Sequence, residues 1–173
     1  MAKYKTGYKK ENPQVAVLKT IIGIVGAVLL LVAATFIYDK ATDWKDYRSY
    51  DHLETYDQVL SQEADDYVVY FYSLTSVTSK EVKNDVLKVL NDLGKDGNVY
   101  LVNVDDFTEA EVDEDETAYT EDTLLAALSV DDITTPMIVT VADGSFEEAI
   151  TGKVNIEDFL DQIASDSYQP FAE

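Results

Sequence analysis

The sequence predicts an α/β domain carried behind a single N-terminal membrane-spanning helix. Three observations predict it. An apolar run of 19 residues, Thr20 to Tyr38, passes without a charge; a strand, an amphipathic helix and a second strand follow one another between Tyr67 and Asp105; and a hairpin followed by a last amphipathic helix occupies Met137 to Ala164. With 173 residues and 46% apolar side chains, the chain has material for one ordinary domain plus an appendage.

The apolar run comes first. As a helix rising ~1.5 Å per residue it spans about 28 Å, close to the ~30 Å hydrocarbon thickness of a bilayer. The small residues Val32-Ala33-Ala34 would suit a signal peptidase. The run nevertheless outlasts the roughly 7–15 apolar residues of a signal-peptide core and continues through Phe36, Ile37 and Tyr38, which points to an uncleaved anchor. Lys3, Lys5, Lys9, Lys10 and Lys19 precede or open it against the single acid Glu11, so the expected orientation is amino terminus in the cytoplasm and carboxyl-terminal domain outside the cell membrane. The expected division is a basic tail (1–14), a transmembrane helix (15–38), a stalk (39–54), the α/β domain (55–166) and a C-terminal tail (167–173).

After the span the chain carries 33 acidic and 8 basic side chains, a surface that repels phosphate backbones and argues against nucleic-acid binding. The chain has no cysteine, which removes disulfides, thiolate nucleophiles, thiolate metal ligands and thiol-linked lipids.

Within the exported part, a short helix is expected around Thr55 to Gln62. "DYVVYFYS" is a β-branched and aromatic run that reads as a strand buried on both faces. "SKEVKNDVLKVLNDLG" sets Val82, Val86, Val89, Leu90 and Leu93 at helical spacing and closes on Gly94. "NVYLVNVD" is the second strand, and strand, helix, strand is right-handed by default. An acidic insertion follows at Asp105 to Asp122, read as a solvated loop, then a short helix at Thr123 to Leu128. A strand at Met137 to Val141 turns at Asp143-Gly144 into a return strand at Phe146 to Thr151. The last helix, "NIEDFLDQIA", is expected to start at Asn155 as N-cap, with Glu157 and Asp158 near its positive end.

The resulting order, β-α-β-α-β-β-α with a proline heading the third strand, resembles the thioredoxin-like fold. "YFYSLTSVTSKEVK" is similar to that family's active-site segment, with Ser76 and Ser79 standing where the two cysteines of C-x-x-C would be and Lys80 after them. Thr135-Pro136 resembles the family's cis-proline, and Gly152 with "IEDFLDQI" resembles its closing glycine and helix. The likeness covers roughly Thr55 to Ala164, and a membrane-anchored domain of this kind is a familiar arrangement in Gram-positive bacteria. It departs from the family pattern at Tyr70, where classical thioredoxins keep a buried acid, and at Thr75, where they keep a tryptophan.

The resemblance implies a vestigial redox motif at Ser76 and Ser79 and a peptide-binding backbone at Thr135 and Pro136. Thiol–disulfide exchange proceeds through a mixed disulfide that a serine hydroxyl cannot form. A hydrolytic serine would need a neighbouring base, and the single histidine, His52, lies in the expected stalk. Ser76 reads as a helix N-cap instead. Asp113 and Asp115 begin a D-x-D spacing without the glycine and glutamate of a calcium loop, so no metal and no cofactor is expected. Tyr47, Tyr50, Tyr56, Tyr67, Tyr70 and Tyr72 cluster from the stalk into the first strand, where packing and an interface suit them equally.

Three functions stay open. The first is a redox-inactive module binding a peptide or protein partner, with no catalytic residue. The second is a thiol–disulfide oxidoreductase lineage, active if the serines replace native cysteines. The third is a purely structural cell-surface domain.

Overall fold

The structure is a computed structural model and describes residues 13–94, 98–111, 118–165 and 167–168. The chain divides into two units between Thr42 and Asp43.

The first unit contains one helix, α1 (Pro13–Thr42), long and apolar enough to cross a membrane. None of its side chains is buried, and Val17, Ile22, Leu30, Val32 and Ile37 are exposed around it. A helix apolar on every side needs an apolar medium on every side. The hydroxyls of Thr20, Thr35 and Thr42 donate back to the carbonyls of Ala16, Val32 and Tyr38 at 3.0, 2.9 and 2.9 Å. Polar groups satisfied within the helix are what a hydrocarbon medium demands. The helix continues past the expected end at 38 and takes in the first residues of the expected stalk.

The second unit is a five-stranded mixed sheet between two helical layers. Its strands are β1 (Asp51–His52), β2 (Tyr67–Tyr72), β3 (Val99–Asn103), β4 (Met137–Ala142) and β5 (Ser145–Thr151), in the order β1-β3-β2-β4-β5. β1, β3 and β2 are parallel, while β4 is antiparallel to both β2 and β5. Side chains alternate along a strand, so β2 feeds two cores. Val68, Tyr70 and Tyr72 meet α2 (Val77–Leu93) and α4 (Lys153–Ala164) through Val82, Val86, Leu90, Phe159 and Ile163. Tyr67, Val69 and Phe71 meet α3 (Glu121–Leu128) through Leu124 and Leu128. Each fully buried aliphatic or aromatic side chain here contributes about 1.5–3 kcal/mol, which is why the continuous apolar run of β2 is legible as a two-sided strand. This order, sense and layering are the thioredoxin-like fold.

Several sequence expectations need correction. The segment expected as the stalk, 39–54, does not end before the domain. Asp43–Lys45 and Tyr47–Ser49 form 3-10 turns, β1 pairs with Tyr100 and Leu101 of β3, and Tyr47, Tyr50 and Leu53 are buried. The Tyr50 hydroxyl ties this segment to α2 through the Leu87 carbonyl at 2.8 Å. Two paired residues carry too little periodicity for β1 to be seen in sequence. The helix expected at Thr55 to Gln62 is a 3-10 helix, Tyr56–Leu60, held at its start by a capping box between Thr55 and Gln58. α4 begins two residues before Asn155, with Gly152 as its cap at φ 82°, ψ 148°, a conformation reserved to glycine. Asn155 lies inside the helix and donates from Nδ2 to the Thr151 carbonyl at 2.9 Å, leaving Glu157 and Asp158 beyond the first turn. Tyr168, assigned to the tail, is buried against Phe159 and bonded to the Thr140 hydroxyl at 2.9 Å.

β3 is shorter than the expected Asn98 to Asp105, and α3 starts at Glu121, two residues before the expected Thr123, on its Thr120 cap, while the bounds of α2 and the hairpin turn agree with expectation. α2 starts on Ser76 and closes on Gly94, and the hairpin turns on Asp143 and Gly144, both at positive φ. Asp113 and Asp115 lie outside the described residues.

Candidate functional site

β2 delivers the chain at Ser73 to a turn that feeds α2, and this turn is wired to itself. The Ser73 hydroxyl donates to Asp105 Oδ1 at 2.8 Å and accepts from the backbone N–H groups of Thr75 and Ser76 at 3.1 and 3.2 Å. Asp105, two residues past β3, also accepts the Leu74 N–H through Oδ2 at 2.9 Å. A carboxylate that gathers a hydroxyl and an amide in this way makes charge-assisted bonds, which are roughly twice as strong as neutral ones.

Ser76 then caps α2, its Oγ accepting the Ser79 N–H at 3.2 Å. Its own hydroxyl faces the Thr135 carbonyl at 3.5 Å, the outer limit of a hydrogen bond. Ser79 is wholly buried, and its Oγ accepts the Ser73 N–H at 3.4 Å. The Thr135-Pro136 bond is cis, with Thr135 half-buried and Pro136 buried at the head of β4. Ser76 thus touches both Ser79, within the same turn, and Thr135, the residue before the cis-proline.

Among the described residues neither serine is bonded to a base. The hydroxyl partners of Ser76 and Ser79 are backbone groups, whereas His52 is engaged with the Tyr50 carbonyl at 3.0 Å and the Tyr72 hydroxyl at 3.2 Å. Among the described residues no group of three histidine, aspartate or glutamate side chains could hold a metal ion.

Two exposed side chains escaped the sequence reading. Leu74 and Val77 stand on either side of Ser76, 55% and 70% exposed. Only one other large apolar side chain among the described residues of this unit is as exposed, Val154 at the head of α4. Its neighbour Lys153 meets Glu81 of α2 at 3.2 Å, and Glu81 lies one turn along the helix from Val77. Asp105 was missed too, because it opens a run of acids that reads as solvated. A serine three residues before the first motif position, paired with an acid just past the end of the next strand, was the signal available.

Behind the turn lies a column of aromatic rings. Tyr47 stacks on Tyr72 with ring centroids 3.8 Å apart, Tyr70 lies 6.1 Å beyond, and the Lys83 ammonium sits 4.1 Å from the Tyr47 ring on α2's side. Burial, helped by Tyr47 and by the carboxylates of Asp106, Asp105 and Asp46, pushes the Tyr72 phenol up to about 12. Burial also raises Tyr70, whose hydroxyl meets no partner at hydrogen-bonding geometry; the Tyr47 hydroxyl influences it from short of that geometry. Tyr70 is thus a buried phenol held neutral at the centre of the sheet.

No protein-family model matches this chain, and no curated protein matches it. Solved structures do. Mitochondrial thioredoxin 3 of Saccharomyces cerevisiae is similar at 15% identity with a TM-score of 0.46, over 67% of this chain and 97% of that one. Thioredoxin O2 of Arabidopsis thaliana is similar at 16% identity with a TM-score of 0.43, over 65% and 92%. A thioredoxin of Malassezia sympodialis gives 14% and 0.43 over 66% and 90%. The fold assignment above stands on strand order and layering, and nothing about activity is taken from these likenesses.

Proposed function

We propose that this chain is a membrane-anchored, redox-inactive module that holds a peptide or protein partner in the groove between the Ser76–Ser79 turn and Thr135-Pro136. The observation that carries the reading is the exposure of two large aliphatic side chains, Leu74 and Val77, in the turn whose Ser76 hydroxyl faces the Thr135 carbonyl at 3.5 Å. Scattered single exposures need no explanation, but two large apolar side chains exposed within one short turn suit a contact surface. The Thr135 carbonyl, facing the capping serine, offers a main-chain acceptor of the kind that extended segments use when they dock. The absence of any cysteine supports a binding role over thiol exchange. The N-terminal lysines support placing the domain outside the cytoplasmic membrane, in the arrangement familiar from Gram-positive bacteria.

The test is photo-crosslinking in cells from a reactive residue placed at position 76, with position 121 on α3 as control, read by mass spectrometry. Capture of one defined protein from 76 and not from 121 is the expected result. Capture from neither, with the domain folded, would return the protein to a structural role. Leu74→Asp and Val77→Asp should abolish capture while changing stability by no more than about 0.5 kcal/mol, since both side chains are exposed.

The oxidoreductase lineage has one observation in its favour: Ser76 and Ser79 sit at the N-terminal end of a helix, where a thiolate would be stabilised. The double variant Ser76→Cys, Ser79→Cys tests it. Insulin reduction by that variant and none by the present chain would place the protein in that lineage with its reagent removed.

A further inference from the structure

Within the aromatic column, Tyr72 is the ring whose hydroxyl is bonded to a base, the imidazole of His52. The Tyr50 carbonyl can only accept, so at 3.0 Å it fixes the ring proton of His52 on Nδ1. The lone pair of Nε2 therefore faces the Tyr72 hydroxyl, 3.2 Å away. A phenol that donates to a neutral imidazole has a place for its proton to go when the ring loses an electron.

The rest of the column decides which ring loses it. Tyr47 stacks on Tyr72 with ring centroids 3.8 Å apart, and Tyr70 lies 6.1 Å from Tyr72. The Lys83 ammonium stands 4.1 Å from the Tyr47 ring, and a cation that close opposes a second positive charge there. The Tyr70 hydroxyl has no partner at hydrogen-bonding geometry, so its proton has no acceptor. A phenol radical cation that keeps its proton is a buried, unpaired charge, the costliest state an apolar interior can hold. Tyr72 has neither handicap. Its hydroxyl is also kept from ionising beforehand, since burial, helped by Tyr47 and by the carboxylates of Asp106, Asp105 and Asp46, pushes it up to about 12. Electron and proton therefore leave together. The Tyr72 ring is 4% exposed while His52 is open to solvent, so the oxidised ring is sheltered from other molecules and the imidazole still meets water.

We propose that Tyr72 and His52 form a one-electron donor site, at which Tyr72 yields an electron to a radical of the peroxyl class and its hydroxyl proton to His52 Nε2. The O–H bond of Tyr72 breaks and an N–H bond forms on His52. Tyr72 becomes a neutral phenoxyl, His52 an imidazolium, and the peroxyl radical a peroxide anion that takes a proton from water. This chemistry is phenolic and one-electron. It is separate from the thiol exchange that a chain without cysteine cannot perform, and it uses no residue of the docking groove.

The test oxidises the full-length protein in detergent micelles with a flash-excited ruthenium tris-bipyridine complex and persulfate. The tyrosyl radical is followed by its absorption and by electron paramagnetic resonance of frozen samples. Its lifetime should fall about tenfold or more in Tyr72→Phe, which keeps the stacked ring and loses only the hydroxyl. His52→Gln keeps a hydrogen-bond acceptor that cannot take the proton, and should lower the yield by a similar factor. Tyr119→Phe, outside the column, should change neither. Yield should also fall as pH is lowered, because an imidazole that already carries a second proton cannot accept another. Asp46, Asp105 and Asp106 face the same hydroxyl and Lys83 faces the Tyr47 ring, so this profile is compared with that of His52→Gln, which retains all four and should be flat. Circular dichroism checks that each variant is folded. An unchanged lifetime in Tyr72→Phe, an unchanged yield in His52→Gln, or a yield indifferent to pH in the unaltered protein would each overturn the inference. Peroxyl radicals from a water-soluble azo initiator should produce the same signal, and a signal with the ruthenium oxidant alone would overturn the assigned class of oxidant.

Discussion

Ser73 organises more of this protein than the two serines beside it. Its hydroxyl links β2 to Asp105 and caps two amides of the turn, so the groove rim has its shape only while that hydrogen-bond set is intact. Asp105→Ala should lower stability by about 1.5–3 kcal/mol, the cost of losing hydrogen bonds to a charged acceptor, and should weaken capture from position 76. Chemical denaturation of the purified protein and the crosslinking yield check the two halves separately. Tyr70 gives the opposite expectation. A buried phenol without a partner loses its hydration for no return, so Tyr70→Phe should leave stability unchanged or raise it by about 1–3 kcal/mol. A clear loss in urea unfolding would show that the Tyr47 hydroxyl serves as a real partner. At this scale the sequence showed Ser76 as a cap and Thr135-Pro136 opposite it. It hid Asp105, because one buried-facing acid in a run of solvated acids has no local signature.

At the scale of elements, the strongest signals were those in which period and propensity agreed. β2, α2 and the β4–β5 hairpin were legible because each repeats its apolar pattern over several residues and ends on a recognisable turn or cap. β1 was not, since a two-residue strand exists only through its pairing with β3. α4 shows how a cap can be misassigned. Asn155 is a good capping residue by type, yet the helix starts where Gly152 turns the backbone to φ 82°. A Cβ at Gly152 would meet nothing within 4 Å, so Gly152→Ala should cost about 1–3 kcal/mol through backbone conformation alone. Thermal unfolding measures it, and a neutral result would mean that α4 can shift its start to Asn155.

For the whole molecule, the tyrosine column and the charge set the response to conditions. The Tyr72 phenol is raised to about 12 from its ordinary 10, and Tyr47, Tyr50 and Tyr70 are raised as well, burial being the first cause in each case. A raised folded pKa means that the folded state holds its proton more tightly than the unfolded one. The stabilisation is complete below pH 10 and is lost as pH rises toward 12 and beyond. An alkaline titration followed by tyrosinate absorbance should show Tyr47, Tyr50, Tyr70 and Tyr72 ionising together with loss of circular dichroism. Smooth ionisation of all twelve tyrosines without unfolding would contradict the packing described for the column.

The sequence by itself determined a helix long and apolar enough to cross a membrane, the α/β alternation and the lack of cysteine, because each depends on local composition: an uncharged apolar run, a repeating pattern, a missing residue type. Only the tertiary structure decided that the residues after Thr42 belong to the domain, that Asp105 holds the turn, and that the Ser76 hydroxyl faces the Thr135 carbonyl. Those facts depend on distances between residues far apart in the chain, and such distances exist only once the sheet has ordered its strands.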